Sequence, residues 1–162
     1  MTDIAELRQR VLRSRERLHA IPYLGNGEPG PPDPETGERW NRGHVLGHLG
    51  DVLRFWPVQV RAVLAGAAWV GRGEDGYADR RRAIESGPER DERALREEID
   101  AGIDDLLRLL EEASSADLGR LVEHRRARET RSKTVGGIIE QVLVAHLESH
   151  VRQLEELSRP GG

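Results

Sequence analysis

Four stretches of the chain repeat apolar residues at intervals of three and four, which is the period of an amphipathic helix. The predicted helices span about residues 2–19, 41–65, 86–113 and 134–158. Each begins at a residue suited to capping a helix N-terminus. The predicted caps are Thr2 or Asp3, Asn41, Ser86 (followed by Pro88 and Glu89), and Thr134.

Each helix has an apolar stripe that predicts a buried face. The stripes run through Ile4, Leu7, Val11, Leu12 and Leu18; through Val45, Leu49, Val52, Leu53, Trp56, Val60, Val63 and Leu64; through Leu95, Ile99, Ile103, Leu106, Leu107 and Leu110; and through Ile139, Val142, Leu143, His146, His150, Leu154 and Leu157. Pro57 lies inside the second stripe, where it removes a backbone donor. We therefore expect a kink there, or a break into two shorter helices.

Three connections separate these helices. Residues 21–38 hold five prolines and four glycines, which predicts a long loop without regular structure that is either functional or disordered. Residues 66–85 are predicted to be irregular, and residues 114–133 to form a basic, turn-prone connection. The pattern predicts an all-α fold, a four-helix bundle of simple or crossover topology in a single domain over residues 1–162.

Composition narrows the class of protein. The chain has 162 residues, of which 4% are aromatic and 33% charged, so an all-β fold is not expected. Its net charge of -4 gives no indication of a nucleic-acid or anionic-membrane partner. The acidic N-terminal segment does not resemble a signal peptide, and no 18-residue apolar stretch occurs. We therefore expect a soluble, cytoplasmic protein that acts on a small molecule.

The absence of cysteine excludes several kinds of chemistry. Disulfides, zinc–thiolate sites, thiol nucleophiles and cysteine-ligated iron–sulfur clusters all need a residue type that the chain lacks. A bound metal must therefore use histidine or carboxylate ligands.

Three histidines are placed on the inward faces of predicted helices. His146 and His150 are four residues apart, so they lie about 40° apart around the helix and about 6 Å apart along it. His48 lies in the second apolar stripe, between Gly47 and Gly50, which would permit close helix approach. Three neutral imidazoles with a further open position suit catalytic Zn²⁺, Ni²⁺ or Fe²⁺. The alternative is that these are hydrogen-bonded core histidines.

Other metal templates fit less well. A zincin needs Glu directly after the first His, whereas Glu148 comes two residues after His146. Only Glu16 with His19 matches the di-iron pattern, so that site is incomplete and an exposed ion pair is expected. His44 is a ligand, a neighbour of the site or a surface residue.

The remaining polar and aromatic features have two interpretations each. The Arg-rich stretches at residues 80–82 and 125–131 either bind an anionic substrate or form solvated faces, which is the commoner role. Trp40 and Trp56 are interpreted as packing residues rather than a ligand cage.

Two motifs together resemble the DinB-like superfamily of metal-binding bundles. In Trp40-Asn41-Arg42-Gly43-His44-Val45-Leu46-Gly47-His48, a Trp is followed eight residues later by a His; Thr134-Val135-Gly136-Gly137 then leads into Ala145-His146-Leu147-Glu148-Ser149-His150. This superfamily includes the N-terminal domain of mycothiol-dependent maleylpyruvate isomerase and the bacillithiol transferases. The resemblance implies a four-helix bundle with crossover connections, often a homodimer, and metal ligands at His48, His146 and His150.

The resemblance also implies an activity. We expect a divalent-metal enzyme, with Zn²⁺ first and Ni²⁺ or Fe²⁺ as alternatives, that is a thiol S-transferase or isomerase using a low-molecular-weight thiol cosubstrate such as mycothiol. The isomerase branch often has Glu at the position of His146, so the chain resembles the three-histidine branch more closely. The alternatives are a non-catalytic metal- or small-molecule-binding stress protein and a metal-assisted hydrolase.

Overall fold

The computed structural model describes residues 2–34 and 36–160 and is mostly helical. Met1, Glu35, Gly161 and Gly162, which the predicted domain includes, lie outside the described residues. The helices are α1 (Ile4–Ala20), α2 (Arg42–Leu64), α3 (Gly73–Ser86), α4 (Glu92–Glu112), α5 (Ser115–Gly119), α6 (Val135–Ile138) and α7 (Ala145–Leu157); the strands are β1 (Trp69–Gly71), β2 (Leu121–Arg125) and β3 (Thr130–Thr134). A π-helical segment, Ile139–Val144, joins α6 to α7, so the backbone is helical from Val135 to Leu157.

Side-chain caps fix the starts of the predicted helices. Asp3 accepts a hydrogen bond from the backbone of Ala5, Asn41 accepts one from His44, and Thr134 accepts one from Gly137. These caps confirm three of the predicted helix starts. The fourth is wrong, because Asp91 caps α4 and residues Gly87–Glu89 form a separate 3₁₀ turn.

The core lies between four long helical segments. α2 packs against α4 and α7, and α1 packs against the same two helices. α2 is buried on most of its circumference and continues through Pro57 without a break. Of the two outcomes predicted at Pro57, a kink or a break, the break is therefore wrong. None of the helices in the described parts of the chain has the length and apolar character needed to cross a membrane.

The segment predicted to be irregular, residues 66–85, instead holds β1 and α3. Gly73 has φ +63°, a conformation that glycine adopts readily, and it turns the chain from β1 into α3. Only Gly76 and Ile84 of α3 are buried, so this helix has no apolar stripe that a periodicity search could detect. α3 packs on α2, and this contact positions it.

The connection predicted to be turn-prone holds α5 and a β-hairpin. β2 pairs antiparallel with β3, with Val122 opposite Lys133, and parallel with β1, with Val70 opposite His124. Burial alternates along β2, so that Val122 and His124 point inward. The fold is therefore mostly helical with a three-stranded sheet, and the all-α prediction needs that correction.

Glycines permit the close approach of α2 to α3 and to the 3₁₀ turn that follows it. A Cβ atom built on Gly47 would lie 2.2 Å from the backbone oxygen of Ala83, and one on Gly43 would lie 2.6 Å from the Cα of Pro88. Gly50 differs, because its nearest neighbour would be a Glu98 carboxylate oxygen at 3.6 Å. The predicted role of close approach therefore applies to Gly47 and not to Gly50.

Two buried arginines hold the start of the Pro-rich loop, residues 21–40. The Arg42 guanidinium, 1% exposed, donates to the backbone oxygens of Pro22 and Gly25 and pairs with Glu92. Arg96 donates to the backbone oxygens of Ile21 and Pro22 and pairs with the same carboxylate. These hydrogen bonds satisfy loop carbonyls that α1 and α2 leave unpaired.

Candidate metal centre

Three histidines from two helices meet at one point. His48 comes from α2, and His146 and His150 come from successive turns of α7. One ligand nitrogen from each lies within 4.8 Å of those of the other two, and the Nε2 atoms of His48 and His146 are 2.9 Å apart. We refer to these three residues as the histidine cluster. These are the three histidines predicted as ligands from the sequence, and the tertiary structure brings them together.

The π-helical segment ends at Val144, two residues before the first histidine of α7. A π turn holds one more residue than an α turn and often occurs at functional sites. The residues Ile138, Ile139, Val142, Leu143 and Val144 are all buried, whereas beyond them the fully buried face of α7 is Leu147, Val151 and Leu154. His146 and His150 therefore lie at the edge of the core and are half-buried, not at its centre.

A glutamine orients one imidazole. The Nδ1 atom of His150 lies 2.8 Å from the Oε1 atom of Gln153. An amide oxygen only accepts hydrogen bonds, so Nδ1 carries the proton and the Nε2 lone pair is available to a metal. Gln153 was not among the predicted site residues, although its position three residues after His150 on a helix was a usable signal.

Burial keeps the histidine cluster neutral. It lowers the pKa of His146 to about 3, with the neighbouring His150 and then Arg80 and Arg72 acting in the same direction. Burial also lowers the pKa of His48 and of His150. A metal binds the neutral form of imidazole, so all three side chains are in the ligand form near neutral pH.

Trp40 forms an aromatic wall of the site. Its ring packs edge-on to His48, with centroids 5.2 Å apart, and stacks on His150 at 5.9 Å. It therefore restricts the orientation of two of the three imidazoles. This agrees with the interpretation of Trp40 as a packing residue, and its packing partners are the site histidines themselves.

Two cavities open from the histidine cluster. The larger, about 720 Å³, is lined by all three histidines, by Trp40 and by the Pro-rich loop, which forms one wall. The smaller, about 150 Å³, is lined by His48, His146, Arg72, Tyr77, Arg80 and His124, among others. A separate open groove of about 930 Å³ between α2 and α3 has no histidine in its lining. The larger cavity at the cluster has the volume of a small-molecule site.

The other predicted candidates lie outside the cluster. His44 accepts a hydrogen bond at Nδ1 from the backbone of Asn41 and so completes the cap of α2. His19 pairs with Asp100 at 2.7 Å on the surface. Glu148 binds Arg10 of α1 at 2.6 Å and is therefore turned toward α1.

The donor set fits a divalent transition metal. His48 Nδ1 is buried without a hydrogen-bond partner among residues 2–34 and 36–160, and its Nε2 points at another imidazole. Three neutral imidazole nitrogens that converge beside a cavity could hold such an ion and leave further coordination positions open.

One of three comparisons with known proteins returned a match. A search of curated proteins and a search of solved structures each returned no significant match. The family model of the DinB superfamily matches residues 5–154, a range that includes the whole histidine cluster and most of the chain. The chain therefore belongs to the DinB superfamily.

Proposed function

We propose that this protein is a divalent-metal-dependent enzyme, either a transferase or an isomerase, that uses a low-molecular-weight thiol as its cosubstrate. The observation that carries the proposal is the convergence of three neutral imidazoles at the base of a cavity of about 720 Å³. Zn²⁺ is the first candidate metal, and Ni²⁺ and Fe²⁺ are alternatives with the same ligand preference.

The residues around the cluster support metal binding. Gln153 sets the tautomer of His150, and Trp40 restricts the imidazoles of His48 and His150. A site whose ligands are already oriented loses little conformational entropy when the ion binds. In the wider fold, we infer that α1, α2, α4 and the α6–α7 segment form the crossed four-helix bundle expected for this superfamily, and that two chains form a homodimer.

The thiol proposal follows from what the chain lacks. The sequence contains no cysteine, so a sulfur nucleophile must come from a cosubstrate. A bound divalent metal would supply a lowered pKa for a thiol and keep it deprotonated near neutral pH. The Pro-rich loop and α7 line a cavity large enough for such a molecule, and Trp40 offers it an apolar surface.

The first test is the metal content of the tag-free protein. Wild type is expected to hold close to one transition-metal ion per chain by plasma mass spectrometry, and His146→Ala is expected to lose it. His19→Ala is the matched control, because His19 is a surface histidine paired with Asp100. Wild type that neither contains nor takes up Zn²⁺, Ni²⁺ or Fe²⁺ would refute the proposal.

The second test concerns the reaction. Metal-loaded protein is expected to accelerate conjugation or isomerisation of electrophiles in the presence of a low-molecular-weight thiol, above the rate with thiol alone. Metal binding without turnover would favour a non-catalytic binding protein. Turnover of ester, amide or phosphoester substrates without thiol would favour a metal-assisted hydrolase.

A further inference from the structure

Arg80 is a cation without a counter-ion beside the histidine cluster. It is half-buried on α3 and lines both cavities. No carboxylate among residues 2–34 and 36–160 lies within salt-bridge distance of it; its recorded contact is with the Trp40 ring, 6.0 Å from the guanidinium carbon. Its charge also lowers the pKa of all three histidines of the cluster, which places it within electrostatic reach of them.

The other arginines of the smaller cavity are already paired. Arg72 binds Asp51 at 2.8 Å in a buried ion pair. Arg125 pairs with Glu123 at 2.9 Å, and Arg126 lies 3.7 Å from Glu129. Arg80 is therefore the unpaired guanidinium of this cavity within the described parts of the chain.

An unpaired guanidinium beside a cation site is electrostatically unfavourable until an anion arrives. A divalent ion at the histidine cluster would be repelled by the charge of Arg80, and a ligand with negative charge would relieve that repulsion. The smaller cavity, about 150 Å³, admits only a few heavy atoms. A planar guanidinium binds a planar carboxylate through two parallel hydrogen bonds.

We propose that Arg80 binds the carboxylate of the substrate, whose reacting end lies at the histidine cluster. This inference rests on the proposed function, since it assigns a substrate class, a small organic carboxylate, to the same site. A second polar group lies close to this position. His124 lines the smaller cavity and its buried Nδ1 atom has no hydrogen-bond partner within the described ranges.

Metal-free protein labelled with 5-fluorotryptophan allows a direct test, with sodium acetate as the probe. The chain has three tryptophans, and their ¹⁹F signals can be assigned by single Trp→Phe changes. Trp40 contacts Arg80 and Trp56 lines the smaller cavity, so both signals are expected to shift on titration. Trp69, on the exposed side of β1, lines neither cavity, so its signal is expected to shift least. The titration is made at pH 7.5 and constant ionic strength, because salt screens charge.

The arginine beside Arg80 provides the matched control. Arg81 is exposed on the same helix, so Arg81→Gln is expected to leave the acetate dissociation constant unchanged within about twofold. Arg80→Gln is expected to raise it at least about tenfold, because a charge-assisted pair is lost. Arg80→Lys keeps the charge but not the two-point geometry. Its acetate dissociation constant is therefore expected to lie between those of Arg81→Gln and Arg80→Gln. Circular dichroism checks that each variant is folded.

Three results would overturn the inference. They are a wild type whose Trp40 and Trp56 signals do not respond to acetate, an Arg80→Gln variant that binds as wild type does, and phosphate binding about tenfold tighter than acetate. Because the titration uses metal-free protein, it tests the role of Arg80 independently of metal binding. A failure of this inference is therefore distinguishable from a failure of the proposed function. Protein that takes up metal but ignores acetate contradicts this inference alone, and protein that binds acetate but no metal contradicts the metal site alone.

Discussion

Replacing Gly47 by alanine is expected to destabilise the protein through the contact between α2 and α3. The added Cβ would lie 2.2 Å from the backbone oxygen of Ala83. Ordinary non-bonded contacts between heavy atoms are about 3.5 Å, so the two helices must separate by roughly 1 Å. The opposing atom belongs to a helix backbone, which cannot rotate away as a side chain can.

The size of the effect follows from two opposing contributions. Overpacking a close helix contact costs about 3 kcal/mol at the upper end of its usual range, and alanine gains about 1 kcal/mol over glycine inside a helix. The net loss for Gly47→Ala is therefore about 2 kcal/mol in the free energy of unfolding. Gly50 is the matched control in the same helix, because its Cβ would meet only the flexible Glu98 carboxylate at 3.6 Å. Gly50→Ala should therefore stabilise the protein by up to about 1 kcal/mol.

Urea denaturation followed by circular dichroism at 222 nm measures both variants against wild type. A Gly47→Ala variant as stable as wild type would refute the reasoning, and so would a Gly50→Ala variant that loses as much stability as Gly47→Ala. A shift of α3 would also move Arg80, so Gly47→Ala is expected to weaken the acetate response described above.

The remaining predictions concern the site and the loop. Gln153→Leu should weaken Zn²⁺ binding about 10- to 100-fold in calorimetry, because the His150 imidazole loses its orienting partner; unchanged affinity would remove Gln153 from the site. Metal-free protein should lose stability as the pH falls from about 6.5, because the unfolded chain takes up protons that buried His146, with a pKa of about 3, does not. For each such histidine, the free energy of unfolding is expected to fall by about 1.4 kcal/mol per pH unit. Denaturant titrations between pH 7 and 5 should show a smaller fall per pH unit in His146→Asn than in wild type. Arg42→Met should cost about 2 kcal/mol, because the Gly25 carbonyl loses its guanidinium donor and Glu92 keeps Arg96 as its only arginine partner within the described ranges; limited trypsin digestion should then cleave residues 21–40 faster, and equal cleavage would contradict the role of Arg42 in holding the loop.

Local sequence patterns were sufficient for the long helices, apart from the start of α4, and for two ligands of the candidate site. The caps Asn41 and Thr134 mark helix starts because capping depends on residues three positions apart. His146 and His150 share a face because four residues complete about one helical turn. The position of His48 opposite them was predicted from its apolar stripe, and it required only that α2 and α7 pack together, which they do.

Short elements without an apolar stripe could not be predicted in this way. α3 buries only two of its residues, and β1 has three residues in total, so neither has a periodic signal. The alternation of Val122 and His124 along β2 was present in the sequence, but the surrounding arginines made the segment resemble a turn. These elements are fixed by contacts with distant parts of the chain, β1 with β2 and α3 with α2.

The sequence by itself determined which residue types were available, such as the helix caps and the absence of cysteine. It also determined which residues shared a helix face, as in the apolar stripes and the histidine pair. The tertiary structure decided which of the consecutive arginines at residues 80–82 turns toward the site. Successive residues on a helix point about 100° apart, so Arg80 can line the cavities while Arg81 and Arg82 remain exposed. Only the packing of α3 on α2 selects that direction, because it depends on the backbone contact that Gly47 permits with Ala83. Local periodicity shows which residues share a helix face, whereas the partner of a charged side chain depends on residues far away in the sequence.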